Sequence, residues 1–218
     1  MALLELSNIS YIVKDKPIIS DVSLSVNQGD YITIVGPSGS GKSTLLKLCS
    51  DLISPTSGAI TYNDRPLTAI DPEPYRREVG YCFQRPYLFA KTVRRNIQFP
   101  YDIRGLKPDM SRIEYLFDLL HMPLNYMERR NDELSGGEMQ RICLIRSLIF
   151  EPKVLLLDEV TSALDATNTS IVENLIDELH KKGITIISIT HNEEQSLRTA
   201  NRRITIVDGQ LAKEEVLR

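Results

Sequence analysis

The chain has 218 residues, of which 42% are apolar, and this suits one compact unit with a substantial hydrophobic core. Its net charge of -3 excludes the strongly basic surface typical of nucleic-acid binding, so we expect no nucleic-acid partner. Its three widely spaced cysteines disfavour a disulfide framework and fit a reducing cytosol, and no uncharged apolar run approaches the roughly 20 residues that span a bilayer. Any membrane role is therefore expected to come through a partner.

The first third of the chain predicts strands around one helix. Apolar and polar residues alternate at 3–6 and 22–26, as in antiparallel strands with one wet face. The apolar, β-branched run 31–35 predicts a buried strand, and 43–48 predicts a helix. A further strand is predicted at 58–62.

The segment between the predicted strand and helix matches G-x-x-x-x-G-K-[ST], the motif of a phosphate-binding loop. Its glycines let successive backbone N–H groups converge on an anion, and the helix behind adds partial positive charge. We expect Lys42 to reach the β- and γ-phosphates of a nucleotide and the Ser43 hydroxyl to ligate Mg²⁺. The alternative, a Gly/Ser turn that binds nothing, is disfavoured by the full motif. The predicted nucleotide-binding residues are Gly36, Pro37, Ser38, Gly39, Ser40, Gly41, Lys42, Ser43 and Thr44.

From residue 92 onward, the sequence predicts a helical insert and then a return to strands. Strand patterns disappear at 92–150, where apolar residues recur at helical spacing, at Ile113, Leu116, Phe117 and Leu120. Buried strands return at 154–157 and 184–189, with a helical pattern between them. This predicts a single α/β domain whose core, 1–91 and 151–218, is interrupted by the helical insert.

Two carboxylates, Asp158 and Glu159, follow the apolar strand at 154–157. Ligands of open α/β folds bind at the carboxyl edge of the sheet, where this pair is expected to lie. We expect Asp158 to hold Mg²⁺ and Glu159 to orient and deprotonate a water that attacks the γ-phosphate. An acidic pair there could instead cap a helix, but the phosphate loop favours the catalytic interpretation.

Three other segments carry polar groups at the end of a predicted strand or the start of a predicted helix, where they can contact a bound nucleotide. Gln84 follows the strand pattern at 79–83 and offers a neutral amide to Mg²⁺ or the attacking water. His191 follows the last predicted strand and can donate to the γ-phosphate and steady Glu159. A second anion site is predicted where a helix begins, at Ser135, Gly136 and Gly137.

In their order along almost the whole chain, these motifs resemble those of the ATP-binding subunit of an ABC transporter. The corresponding elements are the phosphate loop 36–43, the Q-loop glutamine Gln84, the signature 134–138, the Walker B pair Asp158 and Glu159, the D-loop 162–165, and the switch histidine His191. The resemblance implies a P-loop NTPase (RecA-like) core with N-terminal antiparallel strands and a helical subdomain. It also implies ATP hydrolysis with Mg²⁺ by a head-to-tail homodimer, in which the signature of one subunit closes over ATP held by the other.

The resemblance further implies an integral membrane permease as partner, with this subunit cytoplasmic and peripheral at the inner face of the cell membrane. The family binds a short helix of the permease in a groove near this segment. The aromatic rings of Tyr87 and Phe89, just after Gln84, are expected to form the apolar floor of that groove, although core packing is an equal alternative. The pattern from 81 to 104 resembles a bacterial iron-export subgroup. A soluble ABC-type ATPase with an assembly or repair role is the alternative function. A nucleotide-binding module without motor activity is disfavoured by the intact Glu159.

Two positions depart from the family pattern. Val13 stands where an aromatic ring usually stacks on adenine, and Tyr11 lies two residues earlier. Regular strand periodicity would put both side chains on one face, so either is a candidate for contact with the base. Glu138 replaces the glutamine that usually ends the signature, and we expect little effect from this change.

Overall fold

The computed structural model describes residues 2–190, 197 and 199–217. The N-terminal strands form an antiparallel sheet with the order β2-β1-β4-β5. Its strands are β1 (Ala2–Val13), β2 (Lys16–Asn27), β4 (Ser57–Tyr62) and β5 (Arg65–Pro66). This arrangement confirms the antiparallel strands that the alternating pattern predicts.

Among the described residues, a second sheet has six strands in the order β10-β9-β3-β8-β7-β6. All neighbours in it pair in parallel except β10, which is antiparallel to β9. The strands are β3 (Tyr31–Val35), β6 (Val79–Cys82), β7 (Val154–Asp158), β8 (Thr185–Ile189), β9 (Arg202–Val207) and β10 (Gln210–Val216). Parallel pairing brings the carboxyl ends of β3, β6 and β7 to the same edge, where the polar residues predicted to act together follow these strands.

The central parallel strands β3, β7 and β8 are buried on both faces, which explains their continuous apolar runs. Successive residues of β7 alternate between two hydrophobic clusters. Leu155 and Leu157 pack with the helices of the second half of the chain, whereas Val154 and Leu156 pack with the antiparallel sheet and the helix after β3. The core therefore has two layers, one on each side of the parallel strands.

The α-helices among the described residues are α1 (Lys42–Cys49), α2 (Pro72–Glu78), α3 (Val93–Asp102), α4 (Met110–Leu119), α5 (Gly136–Leu148) and α6 (Ala166–Lys181). Three of them, α3, α4 and α5, lie between β6 and β7 and share one buried cluster. Thr92 and Asp109 accept backbone hydrogen bonds as the N-caps of α3 and α4. The division into a core and an insert bounded at 92 and 150 stays a prediction.

The hairpin of β9 and β10 was not predicted from the sequence. Its strands carry many charged residues, which interrupt the apolar alternation by which a strand is recognised. In the structure these charges pair across the hairpin. The Arg202 Nε donates to Glu214 Oε1 at 3.0 Å, and the Arg203 Nε donates to Glu215 Oε2 at 2.9 Å. Cross-strand ion pairs of this kind favour strand pairing that hydrophobic periodicity does not detect.

Candidate functional site

The phosphate loop turns sharply between β3 and α1, and at two of its glycine positions a residue with a side chain would not fit. Gly36 has φ 141°, and a Cβ there would lie 2.0 Å from the carbonyl oxygen of Ile206 in β9. Gly41 has φ 100°, and a Cβ there would lie 2.7 Å from the carbonyl oxygen of Ile18 in β2. The loop is thus enclosed by two distant parts of the chain. Only glycine permits this approach and conformation together.

Lys42, the first residue of α1, turns back onto this loop. Its Nζ donates to the carbonyl oxygens of Gly36 at 2.9 Å and Pro37 at 2.8 Å. Burial lowers the pKa of the Lys42 ammonium, whereas the nearby Glu159 and Asp158 carboxylates oppose that shift. The ammonium therefore lies beside the loop, within the field of both carboxylates.

The Ser40 hydroxyl is buried in the loop and has no hydrogen-bond partner within the described part of the chain. An unpaired buried hydroxyl costs stability unless a bound group satisfies it. The remaining predicted nucleotide-binding residues, Ser38, Gly39 and Thr44, lie in the same loop and in the first turn of α1. This combination suits an anionic ligand with several oxygens.

The Asp158 carboxylate, at the end of β7, receives one hydrogen bond on each oxygen. The Ser43 hydroxyl donates to Oδ1 at 2.8 Å, and the Tyr81 hydroxyl donates to Oδ2 at 2.8 Å. Burial and the adjacent Asp158 raise the pKa of Tyr81, so its hydroxyl stays protonated as a donor. Hydroxyl and carboxylate oxygens are ligands that Mg²⁺ prefers, so the Ser43 and Asp158 side chains fit this ion chemically.

Gln84 and Glu159, predicted from separate segments, are in direct contact. The Gln84 Nε2 donates to the Glu159 Oε2 at 2.6 Å. Glu159 has φ 48°, a left-handed conformation that is uncommon for a residue with a side chain and often marks a functional site. The ends of β6 and β7 therefore bring an amide and a carboxylate together beside the phosphate loop.

The signature segment begins α5 with a capping box. The Ser135 hydroxyl accepts from the Glu138 backbone N–H at 3.3 Å, and Glu138 Oε2 accepts from the Ser135 N–H at 2.7 Å. Burial disfavours ionisation of Glu138, but hydrogen bonds from Tyr126 and Ser135 hold its pKa below the usual value. A Cβ at Gly136 would meet nothing within 4 Å, whereas one at Gly137 would lie 3.2 Å from the Asn168 side chain. The first residue of α5, Gly136, therefore has open space beside it.

The strand that carries the two adenine candidates, Tyr11 and Val13, is irregular. The pairing of β1 with β2 is irregular on both sides of Tyr11, and such irregularities change which way side chains point. Tyr11 is half-buried against the core and pairs with Ile19, next to the Ile18 carbonyl that faces Gly41. Val13 lies at the end of the strand and is 41% exposed. His191 lies outside the described residues.

An exposed aromatic surface lies between the core strands and α3. Tyr87 is 70% exposed and Phe89 is 42% exposed. The Phe89 ring packs edge-on against Phe99 of α3, with centroids 4.3 Å apart, and the Arg146 guanidinium lies 5.0 Å from its centroid. Phe99 is itself exposed, and so is Ile103, which directly follows α3. Tyr87, Phe89, Phe99 and Ile103 are called the aromatic surface below.

The family model described as "ABC transporter" matches residues 19–162 of this chain. The chain is 42% identical over 205 residues to "Probable iron export ATP-binding protein FetA" of Escherichia coli (strain K12), covering 94% of this chain and 91% of that protein. It is 40% identical over 210 residues to "Lipoprotein-releasing system ATP-binding protein LolD 1" of Chlorobium chlorochromatii (strain CaD3), covering 92% and 85%. Similarity on this scale extends over nearly the whole chain.

The fold is similar to that of a dimeric ATP-binding cassette solved in a post-hydrolysis state with ADP and Pi. The TM-score is 0.89 at 26% sequence identity, and the alignment covers 99% of both chains. This confirms the predicted P-loop NTPase fold. Within the described residues, no helix has the length and apolar character needed to cross a membrane. The chain therefore belongs to the ATP-binding family of ABC transporters and is an ATPase.

Proposed function

We propose that this ATPase hydrolyses ATP as its Mg²⁺ complex and thereby powers transport through a separate membrane permease. The observation that carries the proposal is the convergence of Lys42, Ser43, Gln84, Asp158 and Glu159 at one edge of the parallel sheet. These residues supply a cation for the phosphates, oxygens for a metal ion, and a carboxylate base beside them.

Each residue has a distinct role in the proposed reaction. The loop N–H groups and Lys42 bind the β- and γ-phosphates, with Lys42 exchanging the Gly36 and Pro37 carbonyls for phosphate oxygens. Ser43, Asp158 and the Gln84 amide oxygen would hold Mg²⁺, which neutralises charge on the phosphates when bound.

Glu159 accepts a proton from the attacking water once Gln84 releases its carboxylate. His191 is proposed to donate to the γ-phosphate.

We propose that two copies share each ATP. Ser135, Gly136 and Gly137 offer a hydroxyl and backbone N–H groups at the start of α5, and the space at Gly136 leaves room for a second molecule. The structurally similar cassette is a dimer, which supports the same arrangement here. The signature of one subunit would close over the phosphates bound by its partner.

Tyr11 is proposed to stack on the adenine. Tyr11→Ala should weaken ATP binding by about 1–2 kcal/mol, or roughly five- to thirtyfold, because it removes one base–aromatic contact. The matched control is Val13→Ala, two residues along the same strand. Calorimetric titration with ATP and GTP measures both affinity and base preference. A larger loss in Val13→Ala would assign the base contact to Val13 instead.

The aromatic surface is proposed to receive a helix of the permease, which would place the subunit at the inner, cytoplasmic face of the membrane. Tyr87 is largely exposed although it lies between segments that pack into the core. Exposed aromatic rings with a neighbouring arginine are typical anchors of protein interfaces. Arg146 fits this description because it donates to the Tyr87 carbonyl at 3.0 Å and faces the Phe89 ring.

Replacing Tyr87 and Phe89 together with Ser should reduce recovery of the subunit with its permease by about tenfold, while ATPase activity of the free subunit is roughly kept. The rings contact neither phosphate nor metal in the proposed mechanism. The measurement is co-purification through a tag on the permease, after thermal melting of each variant. A matched control is the pair Tyr115→Ser and Leu124→Ser, two exposed apolar residues elsewhere on the helical part of the chain.

Equal recovery and equal transport would place the docking surface elsewhere. A large loss of thermal stability in the Tyr87 and Phe89 variant alone would assign these rings to core packing. Failure of the parental subunit to associate with any membrane protein would favour the soluble assembly role.

Iron is proposed as the exported substrate, on the similarity to the FetA protein alone. The test uses inverted membrane vesicles that contain the subunit and its permease, with radiolabelled iron outside. ATP-dependent accumulation that is absent with Glu159→Gln supports iron export. Vesicles that hydrolyse ATP but move no iron would remove the substrate and leave the ATPase role intact.

A further inference from the structure

The Tyr81 hydroxyl contacts the candidate metal site although no catalytic motif includes it. Tyr81 lies in β6, opposite Leu156 in the parallel pairing with β7, two residues before Asp158. Its hydroxyl reaches the last residue of β7 and donates to Asp158 Oδ2 at 2.8 Å. Asp158 is only 4% exposed, so solvent has little access with which to orient this carboxylate.

The Tyr81 ring is itself held in place by its neighbours. It packs edge-on against Phe83 with the ring centroids 4.6 Å apart, and it contacts the apolar cluster beneath the antiparallel sheet. Its backbone carbonyl accepts from the Ser147 hydroxyl of α5 at 3.4 Å. A donor fixed on both its ring and its backbone can impose one orientation on the group that it contacts.

The two donors to Asp158 differ in what happens when a metal ion binds. Ser43, which donates to Oδ1, is itself a proposed metal ligand, so its hydroxyl oxygen would turn to the ion. Tyr81 donates to the other oxygen, Oδ2, and is free to keep that contact. Outer hydrogen bonds to a ligating carboxylate commonly hold it in its productive orientation.

We propose that Tyr81 is a positioning residue that fixes the Asp158 carboxylate so that Oδ1 is presented to Mg²⁺ beside Ser43. This inference rests on the proposed function. Without the Tyr81 hydroxyl, Asp158 can rotate, and a buried carboxylate oxygen loses its donor. The main effect is a greater metal requirement, since the Tyr81 hydroxyl acts on Asp158, which is proposed to hold the ion.

The test variant is Tyr81→Phe, which removes only the hydroxyl. The matched control is Tyr62→Phe, because Tyr62 is also a strand tyrosine whose hydroxyl donates to a carboxylate, Glu78 at 2.7 Å, in another part of the chain. Mn²⁺ binding at saturating ATP is followed by electron paramagnetic resonance. ATP affinity is measured by calorimetry with Mg²⁺ and, separately, in EDTA.

For Tyr81→Phe we expect the half-saturating Mn²⁺ concentration to rise about tenfold, while ATP affinity in EDTA stays within about twofold of the parental value. Turnover should recover at high Mg²⁺, and Tyr62→Phe should match the parental protein in the metal titration. Tyr81→Met, which also lacks the hydroxyl, should shift the metal dependence in the same direction.

An unchanged Mn²⁺ titration in Tyr81→Phe would overturn the inference while leaving the proposed function in place. Equal losses of ATP affinity with and without metal would also overturn it, because they indicate a general disturbance of the site. A parental protein whose ATP binding is insensitive to metal would instead contradict the metal site of the proposed function, and the inference with it.

Discussion

Lys42→Ala is expected to abolish measurable ATP binding, whereas Glu159→Gln is expected to keep binding and stop turnover. Lys42 supplies the ammonium of the phosphate loop, and losing its charged hydrogen bonds to two phosphates should weaken binding by at least about 100-fold. Glu159→Gln keeps the shape of the side chain but removes the base, which should slow hydrolysis by roughly 100- to 10,000-fold. The two defects should therefore separate cleanly.

Calorimetric titration of ATP and steady-state release of phosphate measure the two effects independently. Lys47→Ala, in the last turn of the same helix, is a matched control for the loss of a lysine. Glu151→Gln, on an exposed glutamate, is a control for the loss of a carboxylate. A Glu159→Gln protein that hydrolyses ATP at the parental rate would remove Glu159 from the catalytic role.

The second large effect concerns assembly. Glu159→Gln protein with ATP and Mg²⁺ should form a stable homodimer, because blocked hydrolysis keeps ATP between the two subunits. Adding Ser135→Arg should prevent dimerisation, since a long cationic side chain would fill the open space at the start of α5. Size-exclusion chromatography with light scattering gives the mass of each species directly.

Ser135 is also the N-cap of α5, so its replacement removes a capping hydrogen bond at a cost of about 1 kcal/mol. Ser135→Ala in the same background removes this cap without adding bulk, and it should still dimerise, with weaker affinity. A monomer of Glu159→Gln at saturating ATP contradicts the shared site. So does a Ser135→Arg dimer of normal affinity.

Local patterns predicted the parts of the site that depend on a few consecutive residues. The glycines and lysine of the phosphate loop, the carboxylates after β7 and the cap at Ser135 each require particular residue types at fixed spacing. The sequence also located the ends of β6 and β7 at one sheet edge, because parallel strands place their carboxyl ends together. These predictions describe where residues lie, while the roles of the site residues remain proposals.

Features that depend on the exact course of the backbone were not predicted. Tyr81 has the apolar neighbours of a core residue, and only the tertiary structure reveals that its hydroxyl reaches Asp158. Counting by twos along β1 does not decide between Tyr11 and Val13 as the base contact, because the pairing of this strand is irregular around Tyr11. The contact of Gln84 with Glu159 joins positions 75 residues apart in sequence, a distance over which no periodicity operates.

The enclosure of the phosphate loop has a consequence for how the chain folds during synthesis. β3, which leads into the loop, lies between β8 and β9 in its sheet, and Gly36 lies against the Ile206 carbonyl of β9. The nascent chain therefore carries the loop sequence long before the strands that support it leave the ribosome. Without these strands the loop is not held in its native conformation, so we expect that ATP does not stabilise the N-terminal segment early in folding. We expect competence to bind nucleotide to arise late, as β9 joins the sheet.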